Sequence, residues 1–541
     1  MNQADNGHDS KGKTGDRGAG ERKHRGLLKT SAVVSSMTMI SRVLGLVRDI
    51  LFARFIGAGG DADAFYMAFK IPNFLRRLFA EGAFAQSFVP VLSEYRQNGS
   101  IEAVKHFIDR VAGCLGVSLI SLVVVVVIAS PVVTAIFGSG FLVKGEMDKF
   151  WTTSELIRIT FPYLLLVSLT GFAGSILNSY DRFAVPAITP VILNVALIVA
   201  AAFVAPNIDR PVYALAWSVL IAGVLQLLFQ LPFLARLDLL PRPKIDWKDQ
   251  AVVKVLRLMG PAIFGVSVSQ INLTLDTILA SFLTDRSITW LYFSDRLTEL
   301  PLGVFGVAIA TVILPNLSRQ FASEDDGFSI TLDWAMRMVL LIAVPSALAL
   351  VIIAKPVLFT LFQYGEMSVF DIHMSSLSLR AYVLGLCAFM LIKVLASAYF
   401  SRQDTRTPVK VGVIAMVSNM GLNLLFVLPL LYLWNIGHVG LAMATTASAY
   451  LNAFLLYRGL VKRGIYSPTP GWLKFCLQLG AASGVMVGVL LLVLSTQLDY
   501  GTLAAGTRVL QLVVLVGAGV VTYVILLLAV GLRPSDLRHH A

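Results

Sequence analysis

The chain has 541 residues, of which 56% are apolar and only 14% charged, and it carries a formal net charge of +12. Its apolar runs repeatedly reach the roughly 20 residues needed to cross a bilayer, which excludes an ordinary water-soluble domain and points to an all-α polytopic membrane protein. The basic excess lies mostly in short loops between those runs and carries no DNA- or RNA-binding motif, so it points to membrane topology and away from nucleic acid as a partner. The three cysteines, Cys114, Cys387 and Cys476, are far apart and each sits in an apolar segment. That spacing indicates neither a disulfide framework nor a zinc site, and they are expected to be inert thiols.

Residues 1–26 are rich in Gly, Lys, Asp and Arg and predict a disordered cytoplasmic tail. The first apolar run lacks a small-residue cleavage site and predicts an uncleaved anchor. Fourteen transmembrane helices follow. Spans 1–6 are predicted near 28–56, 61–95 (broken near Pro72), 104–135, 152–179, 184–206 and 211–236, and form an N-terminal bundle over 27–237. A basic cytoplasmic connector, 238–254, holds Arg242, Lys244, Lys248 and Lys254. Spans 7–12 are predicted near 255–284, 287–321, 330–354, 372–400, 408–433 and 437–459, a second bundle over 255–460. Residues 461–541 hold the last two spans, near 472–495 and 508–531, and a short tail. With both termini cytoplasmic, roughly twenty-five Lys and Arg fall inside and about six outside, as the positive-inside rule requires.

The two bundles read as a repeat. FVPVLSEY, from Phe88, resembles ILPNLSRQ, from Ile313, at an offset of 225 residues; DRFAVP, ending at Pro186, resembles DTRTP, ending at Pro408, at an offset of 222. Equal spacing with six spans in each half predicts two parallel six-helix bundles about an axis along the membrane normal, plus two C-terminal helices, with substrate bound in a central cavity between the bundles.

The segment Ser41–Glu81 carries charge that lipid would not tolerate. At roughly 100° per residue, Ser41, Arg42, Gly45, Arg48 and Asp49 share a sector of about 120°, and Asp63, Lys70, Asn73, Arg77 and Glu81 share one of about 80°, with Arg76 at its edge. A centrally placed Arg costs about 2.5–3.5 kcal/mol to insert, so these groups are expected to face a wet cavity. Convergent guanidinium groups suit a phosphate or pyrophosphate, because each fork pairs with two oxygens at once. In the second half, Asp295, Arg296 and Glu299 share one face with Thr289 two turns earlier, and Arg296 is expected to meet Arg42, Arg48 and Arg76 across the cavity. Internal salt bridges are the plainer explanation for such charges. Excess argues against it: the basic residues Arg42, Arg48, Arg54, Lys70, Arg76 and Arg77 outnumber the acidic Asp49, Asp61, Asp63 and Glu81. Gly45, Gly57, Gly59, Gly60 and Pro72 are hinge candidates, although glycine in membrane helices also serves close packing. Asp276, Asn419, Asn423 and Thr446 offer oxygen ligands for a sodium ion, or simple polar contacts between helices.

SRVLGLVRD from Ser41, DAFYMAFKIPNFLRRLFAEGAFAQSFVPVLSEY from Asp63, SDRLTELPLGVFGVA from Ser294 and YFSRQDTRTPVK from Tyr399, in that order, resemble the MurJ (MviN) family of lipid II flippases, over nearly the whole chain from Leu27 to Arg533. The resemblance implies the fold of the multidrug/oligosaccharidyl-lipid/polysaccharide exporter superfamily. It also implies translocation of an undecaprenyl-pyrophosphate-linked peptidoglycan precursor, lipid II, to the outer leaflet of the bacterial cytoplasmic membrane for cell wall synthesis. At matching positions it implies Arg42, Arg48, Arg76 and Arg296 as the functional arginines, with Ser41, Asp63, Asn73 and Glu81 about the cavity; Thr289 stands where some relatives have Ser. The last two helices would border a groove for the polyprenyl tail, although lipid exposure alone would give the same composition. No cofactor is implied beyond a sodium ion or the membrane potential as driving force, and the partners implied are lipid II, membrane lipids and cell wall synthesis enzymes.

Four other functions compete, one of them a non-transporting scaffold, which would not explain buried charge in two matched halves. A drug or cation antiporter of the same superfamily would want acidic or aromatic cavity walls. A flippase for another polyprenyl-linked glycan would share the anionic headgroup. A membrane phosphatase or transferase would need a His or Cys nucleophile or a metal-binding carboxylate cluster, and the spans offer neither, so no enzymatic activity is expected.

Overall fold

The computed structural model describes residues 14–78, 84–322, 327–496 and 499–532. Among them the regular elements are helical. The first half holds α1 (Thr14–Phe55), α2 (Gly60–Leu78), α3 (Phe84–Asn98), α4 (Ile101–Ile128), α5 (Ser130–Phe137), α6 (Ser139–Val143), α7 (Met147–Thr160), α8 (Tyr163–Ser179), α9 (Ala184–Val199) and α10 (Pro211–Arg236). The second holds α11 (Gln250–Ser281), α12 (Ser287–Pro301), α13 (Val307–Ala322), α14 (Gly327–Phe362), α15 (Val369–Leu384), α16 (Leu386–Phe400), α17 (Arg406–Trp434) and α18 (Gly437–Lys462); α19 (Trp472–Thr496) and α20 (Ala505–Ala529) follow.

Among the described residues, ten stretches are long and apolar enough to cross a membrane: α4, α7 with α8, α9 with the turn after it, α10, α14, α15 with α16, α17, α18, α19 and α20. They correspond to predicted spans three to six and nine to fourteen. The largest difference is α14, which runs to Phe362 because Pro356 is absorbed within the helix instead of ending it. Predicted spans one, two, seven and eight correspond to α1, α2 with α3, α11 and α12 with α13, which are helical as well. Helix α1 reaches back to Thr14, into the stretch whose composition predicts irregular chain. Arg17, Ala19, Glu21, Arg22, Lys23 and Arg25 favour that extension, against four glycines in the same stretch.

Pro72 does not break α2, which continues to Leu78. A proline leaves the carbonyl four residues earlier without its helical donor; here the Thr160 hydroxyl of α7, which donates to Leu156 O of its own helix at 2.8 Å, lies 3.4 Å from that oxygen, Ala68 O.

The repeat is visible in backbone geometry. Asp181 (φ 60°) and Gln403 (φ 59°), 222 residues apart, both adopt the left-handed conformation uncommon for side chains other than glycine. In both turns the residue that follows donates back to the end of the preceding helix, Arg182 N to Leu177 O at 2.9 Å and Asp404 N to Tyr399 O at 3.0 Å. One apolar core holds Phe65, Leu156, Phe161 and Leu215 of the first half and takes in Leu283 and Leu441 of the second; another, with Leu332, Met390, Val394 and Tyr399, lies within the second half.

The halves meet at the end of the molecule where α1 finishes. Arg54 O accepts from Glu366 N at 3.1 Å. Gly57 (φ 65°) and Gly365 (φ 60°) make this approach possible: a Cβ on Gly57 would lie 2.6 Å from the Glu366 carbonyl oxygen, and one on Gly365 would overlap Arg54 O. Nearby, Gly140 N donates to Ser281 Oγ at 3.0 Å and Lys144 Nζ to Leu283 O at 2.6 Å. Gly57, expected as a hinge, is here a point of backbone-to-backbone packing.

Candidate functional site: an arginine bridge between the halves

On α1, Ser41, Gly45 and Arg48 follow one another at one-turn spacing and so share a face, with Asp49 beside them. Asp49 is fully buried and Arg48 is only 6% exposed. The Arg48 guanidinium donates through Nε and Nη2 to Asp49 Oδ1 at 2.9 and 2.7 Å, through Nη1 to Asn194 Oδ1 of α9 at 3.1 Å and through Nη2 to the Tyr292 hydroxyl of α12 at 3.1 Å. It lies over the Phe52 ring. From the second half, Arg296 Nε donates to Asp49 Oδ2 at 2.8 Å and the Tyr292 hydroxyl to Asp49 Oδ1 at 2.9 Å. One buried carboxylate therefore holds two arginines, one from each half. Gly45 leaves the room this needs, since a Cβ there would sit 2.9 Å from Arg296 Nη2. Its role is close approach, which the hinge expectation did not specify.

Around this bridge the polar side chains become accessible. The Arg296 side chain is 32% exposed and its Nη1 donates to Glu299 Oε2 at 3.2 Å. Lys70 and Asp295 are exposed although they sit in helix interiors, as is Arg77 in the last turn of α2, and Lys70 is within electrostatic range of Asp295, Asp276, Arg77 and Glu299. Charged groups of both halves thus face one accessible space. Arg42 reaches the π-helical turn Leu302–Gly306, where a Cβ on Gly303 would overlap its guanidinium; such turns interrupt helices at functional positions more often than elsewhere. Arg76 Nε donates to Asn73 Oδ1 at 3.3 Å, and Asn73 Nδ2 to Phe69 O of its own helix at 2.9 Å. Among the described residues, the cations Arg42, Arg48, Lys70, Arg76, Arg77 and Arg296 outnumber the carboxylates Asp49, Asp276, Asp295 and Glu299.

Several sequence-predicted residues stand elsewhere. Ser41 receives Asn194 Nδ2 on its carbonyl at 2.9 Å and on its hydroxyl at 3.2 Å, so it positions the asparagine that orients Arg48. Asp63 and Thr289 are not with the arginines. Buried Asp63 accepts from Arg286 N and Thr289 N at 2.9 Å each and from the Thr289 hydroxyl at 2.7 Å. It acts as an N-terminal cap for α12, supplied by the other half. Lys149 lies 3.7 Å from Asp63 and also pairs with Glu146 and Asp285. Glu81 lies outside the described residues. The sequence reading did not select Asp49, Tyr292, Asn194, Lys70 or Lys149 as site residues; only Asp49 and Lys70 carried a signal, their places in the polar stripes.

A second polar cluster joins α11 to α17 and α18. Asp276 Oδ1 accepts from Asn419 Nδ2 at 3.1 Å and Asn423 Nδ2 at 3.0 Å, and the Thr445 hydroxyl, which bonds Leu441 O of its own helix at 3.0 Å, lies 3.3 Å from Asp276 Oδ2. Asn419 Nδ2 also donates to Asn272 Oδ1 at 3.0 Å. Thr446 does not join: its hydroxyl donates to Ala381 O at 2.8 Å. Adjacent positions on a helix differ by about 100°, so Thr445 faces the cluster and Thr446 faces α15. The side-chain oxygens of Asn419 and Asn423 are buried without a hydrogen-bond partner, which costs free energy unless something else binds them.

Residues 52–510 match the protein family described as "Lipid II flippase MurJ". The chain is 50% identical over 518 residues to the "Probable lipid II flippase MurJ" of Vibrio cholerae, covering 95% of this chain and 98% of that protein. A solved "Lipid II flippase MurJ, inward closed conformation" is similar at a TM-score of 0.77 and 26% identity, covering 92% of this chain and 98% of the other. An inward-facing multidrug resistance MATE family transporter shares the fold at a TM-score of 0.65 and 14% identity, covering 80% of this chain and 97% of its own. The match over most of the length, together with half the residues shared with a relative of nearly equal extent, shows that the chain belongs to the lipid II flippase MurJ family.

Proposed function

We propose that the protein is a transporter that carries lipid II, an undecaprenyl-pyrophosphate-linked peptidoglycan precursor, from the inner to the outer leaflet of the bacterial cytoplasmic membrane by alternating access. The Asp49-centred bridge carries this reading: it places an arginine from each half on one carboxylate beside an accessible space where cations exceed carboxylates. A pyrophosphate entering there competes with Asp49 and Glu299 for guanidinium groups and satisfies the surplus. Lys70, Arg76 and Arg77 extend the positive surface, and Arg42 contributes from the α1 side.

Counting α1, α2 with α3, α11 and α12 with α13 beside the ten apolar stretches gives fourteen spans, as two six-span bundles and the α19–α20 pair. The charged groups of the site lie on α1, α2 and α12, and Asp276 on α11, so the first two spans of each half carry them, as expected if those spans line the cavity. Both termini are cytoplasmic in this arrangement, with Lys105, Arg242, Lys244, Lys248, Arg402 and Lys462 on the inner face. The Phe55 end is then the outer one, and Asp63 on the first turns of α12 latches it shut. Release of the headgroup outward requires that latch to open.

A depletion experiment tests the assignment. Removing the protein makes lipid II accumulate in the inner leaflet; accumulation of a different lipid-linked glycan, or none, overturns it. A drug or cation antiporter of the same fold is the second reading, and the excess of arginines over carboxylates about the Asp49 bridge argues against it.

The Asp276 cluster fits a sodium ion. The Asp276 carboxylate, the orphaned side-chain oxygens of Asn419 and Asn423 and the Thr445 hydroxyl are hard oxygen donors of the kind such a cation takes. A bound ion would supply charge to stabilise one arrangement of α11 against α17 and α18. In vesicles, an imposed sodium gradient is expected to accelerate translocation by the intact protein, and D276N to remove the acceleration while leaving the basal rate. An intact protein indifferent to sodium refutes the site.

A further inference from the structure

Two buried aspartates that the arginine site does not use, Asp109 on α4 and Asp333 on α14, occupy equivalent places in the repeat. They are 224 residues apart, within the spacing of the matched turns. Each grips the chain as it leaves its own half. Asp109 Oδ1 accepts from Arg242 N at 2.7 Å, and the Asp109 carbonyl from Lys244 N at 3.0 Å. Asp333 accepts from Trp472 Nε1 at 2.6 Å and Arg337 Nη2 at 2.9 Å, and from the hydroxyls of Tyr466 and Thr469. Arg242 and Tyr466 are themselves 224 residues apart, so the same point of the departing chain meets the same point of the same span in both halves.

Surrounding contacts reinforce both attachments. In the first half, Gly113 lets the connector lie against α4, for a Cβ there would overlap the Lys244 carbonyl. Arg110 pairs with Asp249, which caps α11 by accepting from Ala251 N at 2.9 Å and Val252 N at 3.2 Å. The first turns of α11 then bury Ala251, Val252 and Val255 in a first-half core with Phe84, Phe88 and Phe107. In the second half, the Arg337 guanidinium lies 5.1 Å from the Trp472 ring centroid, at the first residue of α19.

We propose that Asp109 and Asp333 are a matched pair of positioning residues, each tying the next element to the half the chain is leaving. Through Asp109, α11 starts as part of the first half although its far end joins the second through Asp276. Through Asp333, the α19–α20 pair is carried with α14 as one body. The connector is thus a clasped segment that transmits motion, where its basic, polar composition alone would allow a slack tether.

Trypsin digestion of the full-length protein in lipid nanodiscs tests this. D109A and G113A are expected to speed cleavage after Lys244 about tenfold, and D333A cleavage after Arg463 by a similar factor. D109N keeps an acceptor for Arg242 N and should restore protection. G116A, on the same helix with nothing within 4 Å of its would-be Cβ, should leave cleavage unchanged. Should D109A fail to fold, G113A carries the test. Wild-type cleavage in both D109A and G113A, or equal acceleration by G116A, overturns the proposal. A second readout rests on the lipid II reading: D333A should bind lipid II as the wild type does but translocate it about tenfold more slowly. Parallel losses of binding and translocation would reduce Asp333 to a stability residue. Digestion is independent of substrate, so failure of the clasp and failure of the functional reading are distinguishable.

Discussion

Arg48→Ala and Arg296→Ala each abolish translocation while leaving folded protein in the membrane. Asp49 explains the second half of that expectation. Breaking a buried ion pair by removing one partner costs about 3–5 kcal/mol when a charge is left uncompensated, but Asp49 holds two arginines, and either single replacement leaves it the other. Transport has no such reserve. Truncating one member of a desolvated charge pair with a ligand costs about 2–5 kcal/mol, so translocation in reconstituted vesicles should fall at least about 30-fold, with the thermal midpoint little changed. Asp49→Ala should behave differently, because Arg48 would remain buried beside Arg296 with no carboxylate between them; loss of folded protein is expected. Normal growth with either arginine variant as the sole copy would refute the clamp.

Asp63→Ala shifts the protein toward conformations open at the Phe55 end. The replacement removes the acceptor for two backbone N–H groups and one hydroxyl at the start of α12, a loss of about 1–2 kcal/mol by comparison with other helix caps. That is roughly a 5- to 30-fold change in the ratio of closed to open molecules. Lys149 keeps Glu146 and Asp285 as partners, so the variant should stay folded. Spin labels across the Phe55 end should report a larger population at long distance; an unchanged distribution would mean that the cap does not hold the halves together. Asp63→Asn retains an acceptor and should fall between the two.

Much of the fold was legible because apolar length is a one-dimensional property: Pro211–Arg236 can be read directly as the uncharged run between Arg210 and Arg236. The repeat was legible for the same reason, from two short motifs at nearly equal offsets. The site was legible only as faces. Helical projection placed Arg48, Asp49 and Arg296 toward the interior, yet it does not say what stands opposite, and the partners Asn194 and Tyr292 lie 146 and 244 residues from Arg48. Asp63 illustrates the limit. Its position on the face of α2 was readable, but its service to the first turn of α12 depends on how two halves dock. Thr446 failed by a single residue, which on a helix is enough to turn a hydroxyl from α11 toward α15.

The contact between Gly57, Arg54, Gly365 and Glu366 has a consequence for leakage. A plug made of side chains can flicker as rotamers change, letting small ions slip past. Here main chain from one half rests on main chain from the other, so the seal parts only when whole helices separate. Closure there is accordingly all or none, set by where two bundles sit and not by the rotamer of any one side chain.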